Sequence, residues 1–241
     1  MSTTNKGAAR PLGGQVALVT GGGKGLGRAI ALALAARGVR VVVTGRSERA
    51  LGEVVGEIAN AGQKARHLAG DVRDPAHLAA AVERAVSVFG GLDIAIAAAS
   101  LGARGPLALG SGLADTARDI LETNVLGAYQ TFDAAARAMK GPGRLVAVRS
   151  TLATGDAGLP GYAAHSAANA GLLGLVRSAA VELASRGITA NALLHVRPVG
   201  VDPDDVPPEQ LAELCVYLCT SAADGITGQS IAMSGATPVF A

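Results

Sequence analysis

Residues 16–27 read V-A-L-V-T-G-G-G-K-G-L-G, and this stretch constrains the fold more than any other part of the chain. The apolar run at 16–19 suits a strand. Glycines and a lysine follow, then an Ala- and Leu-rich run over 28–37 that suits a helix. Such a segment is a strand ending in a tight turn against a helix N-terminus. Glycine lets the backbone approach a ligand closely, and the helix start offers unpaired N–H groups and a positive dipole end. It is a place for a phosphate.

The rest of the chain repeats the same alternation. Strand-like runs at 40–44, 64–68, 93–98, 144–148, 188–194 and 229–233 are interleaved with helix-like runs at 47–61, 75–89, 111–139, 163–186 and 208–219. About seven strands and six helices in strict alternation predict an α/β fold: one doubly wound, Rossmann-type parallel sheet with helices on both faces. The spacing places it in a single domain over 12–241, behind a flexible tail at 1–11. Ligands of such sheets bind at the carboxyl ends of the strands, where the loops after Thr20, Thr44, Ala98, Arg149 and Leu194 converge.

Composition narrows the rest. Hydrophobic residues make up 49% of the 241, yet there are three Phe, three Tyr and no Trp, so the core must be built of Ala, Val and Leu. The formal charge is +2, from 21 basic and 19 acidic residues without long like-charge blocks, which points away from a nucleic-acid or membrane face. No run approaches the ~20 apolar residues of a membrane span. The polar first residues lack the apolar centre of a secretory signal, so a cytoplasmic protein is expected. Cys215 and Cys219 share one face of a helix and suit a buried structural role; no metal site is indicated.

Several motifs in order resemble those of the short-chain dehydrogenase/reductase family, from about Gln15 to the C-terminus. They are T-G-x-x-x-G-x-G at Thr20 to Gly27, G-D-V at Gly70 to Val72, L-D-I at Leu92 to Ile94 and N-V-L-G at Asn124 to Gly127. R-G-I-T-A-N-A at Arg186 to Ala192 and I-T-G-Q at Ile226 to Gln229 complete the set. The resemblance implies a nicotinamide dinucleotide at the sheet edge and hydride transfer between a carbonyl and an alcohol. It also implies a homo-oligomer, or a hetero-oligomer with a related chain, built on the long helices around 112–139 and 163–186.

On this resemblance Gly21, Gly25, Leu26 and Gly27 form the phosphate turn, and Asp71 and Val72 contact the adenine. The second strand ends in Thr44-Gly45-Arg46, where an NAD binder would offer an acid to the ribose 2′-hydroxyl. Arg46 instead suits a 2′-phosphate, and Lys24 adds a second positive charge, so NADP(H) is the expected cofactor.

The nicotinamide half departs from the family pattern. Ala97-Ala98-Ala99-Ser100 stands where the family has Asn-Asn-Ala-Gly. The Tyr-x-x-x-Lys segment aligns with His165-Ser166-Ala167-Ala168-Asn169, so His165 replaces the proton donor and Asn169 the lysine. Tyr162 lies one helical turn earlier. His195-Val196 replaces a Pro-Gly, and the segment before the last helix is short. Ser150 matches the catalytic serine and Asn124 the helix asparagine of the water relay. Arg149, His195 and Arg197 are candidate substrate-pocket residues around Ser150. The first expectation is therefore a degenerate, non-catalytic or weakly active subunit of an oxidoreductase assembly. A non-redox acid–base enzyme working through Ser150, His165 and Arg197 is a second reading, and an NADP(H)-dependent ketoreductase with His165 as proton donor a third.

Overall fold

The computed structural model describes residues 12–102, 110, 112–151, 161–196 and 207–233, without the side chains of 150, 151 and 196. The expected tail at 1–11 and Arg197 lie outside the described residues. Seven parallel strands form one sheet in the order β3-β2-β1-β4-β5-β6-β7. They are β1 (Val16–Thr20), β2 (Arg40–Gly45), β3 (Ala65–Ala69), β4 (Ile94–Ala97), β5 (Gly143–Thr151), β6 (Ile188–Val196) and β7 (Ser230–Met233). The strand order reverses between β1 and β4, and a crevice opens at that switch point beyond the carboxyl ends of the strands.

Alternation along each strand feeds two cores. Ala17 and Val19 of β1, Ile94 and Ile96 of β4, and Val146 and Val148 of β5 face one side. That side is covered by α1 (Gly25–Ala36), α2 (Glu48–Asn60) and α7 (Pro208–Cys219). Val16, Leu18, Ala95, Ala97, Leu145, Ala147, Ala190 and Ala192 face the other, under α3 (Pro75–Phe89), α5 (Gly127–Ala138) and α6 (Ala163–Glu182). Alanine dominates this second face and lets its helices lie close to the sheet. Cys215 and Cys219 are buried in the first core.

Several family motifs prove to be staples of the fold. The Asp93 carboxylate accepts the Val16 N–H at 2.9 Å, tying β4 to β1 where both begin. The Asn191 side chain donates to the Ile226 carbonyl at 2.8 Å and accepts the Gln229 N–H at 3.1 Å. Thr227 Oγ1 accepts the Ala190 N–H at 3.1 Å. The R-G-I-T-A-N-A and I-T-G-Q segments thus hold β6 to the chain entering β7.

The long helical region expected over 111–139 comprises more than one element. It forms α4 (Ala114–Leu121), a π-helical turn (Glu122–Leu126) and α5. The Gly127 N–H reaches back five residues to the Glu122 carbonyl. Such turns insert a residue into the ladder and are frequent at functional sites; this one contains Asn124. Among the described residues no helix is long and apolar enough to cross a membrane.

Candidate functional site

A cleft of about 790 Å³ lies at the switch point. Its lining includes Gly21, Lys24, Gly25, Leu26, Gly27, Arg46, Asp71 and Val72, every residue that the sequence assigned to the cofactor. At its other end it is lined by Ala98, Ala99, Ser100, Leu101, Thr123, Arg149 and His195.

The glycine turn is shaped by close backbone approach. Gly21 adopts φ +68°, and a Cβ there would lie 2.6 Å from the Ala99 nitrogen at the end of β4. A Cβ on Gly27 would lie 2.3 Å from the Gly21 carbonyl oxygen, so the first turn of α1 can pack on the glycine turn only as glycine. The helix therefore begins at Gly25, earlier than its apolar pattern suggested. Gly25 sits at φ +52° with open space beside it.

The start of α1 fits an anion. Ser47 caps α2 by accepting the Ala50 N–H, and Asp74 caps α3 by accepting the Ala76 N–H. The residue before α1 is Lys24, and no side chain caps that helix. Its leading N–H groups and dipole end are left for a ligand such as a diphosphate.

At the end of the cleft that Arg46 and Asp71 line, Arg73 pairs with Asp71 at 2.8 Å and reaches Asp119 of α4 at 3.0 Å. The Arg73 hydrogen bonds, with a smaller contribution from Arg46, hold the Asp71 carboxyl below the usual carboxylate range. Neither Arg73 nor His77 stood out in the sequence. His77 Nε2 lies 2.5 Å from Thr44 Oγ1, and its ring fills the space a Cβ on Gly70 would need. Burial lowers the His77 pKa, against Asp74 and Asp71, which raise it.

At the opposite end, β5 and β6 bring Ser150 and His195 into register. Arg149 is 2% exposed. Its Nη1 donates to the carbonyls of Val148 at 2.8 Å, Ala99 at 3.1 Å and Ala97 at 3.3 Å, and its Nη2 donates to the Asn124 carbonyl. Burial pushes the guanidinium down to about 10, which leaves it charged at neutral pH. Expected as a substrate-pocket residue, Arg149 lines the cleft, and both terminal nitrogens of its guanidinium donate to backbone carbonyls. Asn124 accepts the Leu101 N–H at 2.8 Å and donates to the Leu101 carbonyl at 3.1 Å. Both ends of the amide that the sequence assigned to a water relay are thereby committed to Leu101.

His165 is half-buried near the start of α6 and is hydrogen-bonded to the Leu101 backbone. Burial lowers its pKa, and the Leu101 bond raises it in part. The Tyr162 ring stands edge-on to it, centroids 5.9 Å apart at 62°. Asn169 follows one turn later on the same helix and is half-buried. Neither His165 nor Asn169 is among the described lining residues of the cleft; His165 connects to that lining through Leu101.

The family model for short chain dehydrogenase matches residues 15–204. The chain is 33% identical over 245 residues to the 3-oxoacyl-[acyl-carrier-protein] reductase FabG of Escherichia coli (strain K12), covering 92% of this chain and 96% of the relative. It is 31% identical over 251 residues to the short-chain reductase protein NovJ of Streptomyces niveus, covering 92% and 94%. A short-chain dehydrogenase from Burkholderia cenocepacia J2315, solved in complex with NADP, superposes with a TM-score of 0.85 at 30% identity, covering 94% of this chain and 98% of that one. These findings overturn the expectation of a degenerate, non-catalytic subunit. Relatives matched nearly end to end are named as reductases, and a solved neighbour with the same fold holds NADP. The chain belongs to the short-chain dehydrogenase/reductase family.

Proposed function

We propose that the protein is an NADP(H)-dependent reductase of carbonyl compounds in which His165 supplies the proton. The observation that carries the reading is the cleft, which joins a glycine turn with an uncapped helix start to an end lined by Ser100, Leu101, Thr123 and His195, with His165 bonded to Leu101 behind that lining. Lys24 and Arg46 line the same end of the cleft, and β2 ends at Gly45, followed by Arg46 and not by an acid for a 2′-hydroxyl. That favours the 2′-phosphate of NADP(H) over NAD(H). Neighbours solved with NADP and with NADPH add support. The relatives named as 3-oxoacyl-[acyl-carrier-protein] reductases point to a 3-oxoacyl thioester as the first substrate class to try. They also favour this reading over non-redox acid–base chemistry.

When bound, NADPH supplies a hydride for the carbonyl carbon. The chain's own residues hold the coenzyme and manage the proton. Gly21, Gly25, Leu26 and Gly27 would seat the diphosphate, Lys24 and Arg46 would hold the 2′-phosphate, and Asp71 and Val72 would contact the adenine. His165 in its imidazolium form donates to the developing alkoxide oxygen and is left neutral. Ser150 polarises the carbonyl oxygen, and Asn169, in place of a lysine, orients ribose hydroxyls by hydrogen bonding. His195 borders the substrate. Asn124 fixes Leu101 and with it the His165 ring. Assembly of like chains through the helices at 112–139 and 163–186 is supported by Leu121, Leu126, Tyr129 and Val181, large apolar side chains left exposed there.

The test is transfer of deuteride from 4-deuterated NADPH to an acetoacetyl thioester. Stereospecific label in the 3-hydroxy product, lost in His165→Ala, is the expected result. No labelled product across a panel of oxoacyl and ring ketones would refute the reading.

A further inference from the structure

We propose that Arg149 is a positioning residue: its buried guanidinium ties the end of β4 to the π-helical turn at Asn124, and so fixes the Leu101 backbone on which His165 rests. The inference rests on the reading of His165 as proton donor. Along β5, Leu145 and Ala147 belong to the core under α5 and α6, and the alternation places Arg149 on that same face at the strand's end. The flanking residues are small. Ala97, Ala98 and Ala99 carry no polar side chain that could satisfy carbonyls as the chain leaves the sheet. The guanidinium takes that part, with donors to the carbonyls of Ala97 and Ala99 on one side and of Asn124 on the other.

The path onward is short. Asn124, held through its own carbonyl, grips both the N–H and the carbonyl of Leu101. Leu101 in turn makes the backbone hydrogen bond to His165. Arg149 thus reaches the proton donor through backbone contacts, by way of Asn124 and Leu101. Only a planar fork with several donors can span the two elements; a lysine keeps the charge but has a single donor centre.

Arg149→Lys in the full chain is the main test, with Arg149→Met alongside it. In Arg149→Lys the amide of Leu101 and those of residues 122–126 should exchange with deuterium at least ~10-fold faster. A misplaced proton donor should lower kcat for carbonyl reduction by ~10²-fold. The affinity for 2′,5′-ADP should stay within about twofold of the wild-type value. Unchanged exchange at Leu101 would overturn the proposal. So would parallel loss of kcat and 2′,5′-ADP affinity, which marks general damage to the fold. If the wild-type protein reduces no carbonyl, the reductase reading fails by itself, while exchange at Leu101 still reports on the clamp. Should Arg149→Met fail to fold, Arg149→Lys decides alone.

Discussion

Gly27→Ala sets two well-known quantities against each other, and their sum has a definite sign. Gly27 is the third residue of α1, where alanine in place of glycine gains about 0.8–1.0 kcal/mol from helix propensity alone. The new methyl would lie 2.3 Å from the Gly21 carbonyl oxygen and 2.8 Å from its carbon. Gly21 cannot retreat toward β4, because its own Cα already faces the Ala98 and Ala99 backbone. Overpacking costs typically about 1–3 kcal/mol, and a backbone obstacle held from behind belongs at the upper end. A net loss of about 2 kcal/mol follows, or about 4–8 °C in Tm for a chain of this size. Gly52→Ala is the control: it lies inside α2 with nothing within 4 Å of the added methyl. There the propensity gain stands alone, and Tm should rise by about 1–4 °C. Calorimetry on the two variants beside the wild type reads both signs. If Gly27→Ala proves as stable as the wild type while Gly52→Ala gains, the close packing of α1 on the glycine turn is not what excludes a side chain.

Three further outcomes are expected. Arg46→Ala should weaken 2′,5′-ADP by about 10–100-fold in calorimetric titration while leaving adenosine 5′-monophosphate nearly unchanged, since a charge-assisted bond contributes about 1.5–3 kcal/mol; equal loss for both ligands would place Arg46 away from the 2′-phosphate. Because the His165 pKa lies below 6.5, its proton-bearing form declines as pH rises, so reduction at saturating NADPH should speed up as pH is lowered toward that pKa. Tyr162→Phe should keep this profile, and a midpoint above about pH 8 would give the proton to another group. His77 has a folded pKa depressed below 6.5, so its contribution to stability is complete above that value and lost as pH falls through the folded pKa. The urea midpoint should therefore drop more between pH 7.5 and 5.5 in the wild type than in His77→Asn, and equal drops would rule His77 out.

The sheet was legible because its periodicities are local. Strands β1, β2 and β4 are buried on both faces and read as continuous apolar runs, and α3 is bounded by Pro75 and Gly90, so its limits fall where the sequence places them. The π-helical turn was not legible. Residues 122–126 are E-T-N-V-L, ordinary helix material, and the inserted residue shows only in the backbone. The residues that line the cleft around the glycine turn could be picked out because glycine spacing is a property of contiguous residues. Arg149 stood out in the sequence, but its backbone contacts did not, because its partners Ala97, Ala99 and Asn124 lie 25 to 52 residues away along the chain. Arg73 and His77 escaped for the same reason: one bonds across to α4 and the other to β2. Asp93 and Asn191 were found as signatures, yet what they do is join strands.

The bare start of α1 also bears on how long the protein lasts. Donors left unmet in the free chain are met when an anion arrives, so the ligand adds RT ln(1 + [L]/Kd) to stability, about 2.7 kcal/mol at a hundredfold excess over Kd. Degradation that proceeds through the opened chain slows by the same Boltzmann factor, about a hundredfold. The cellular amount of this protein should then follow the supply of the nucleotide it holds, falling in cells starved of it even at constant synthesis.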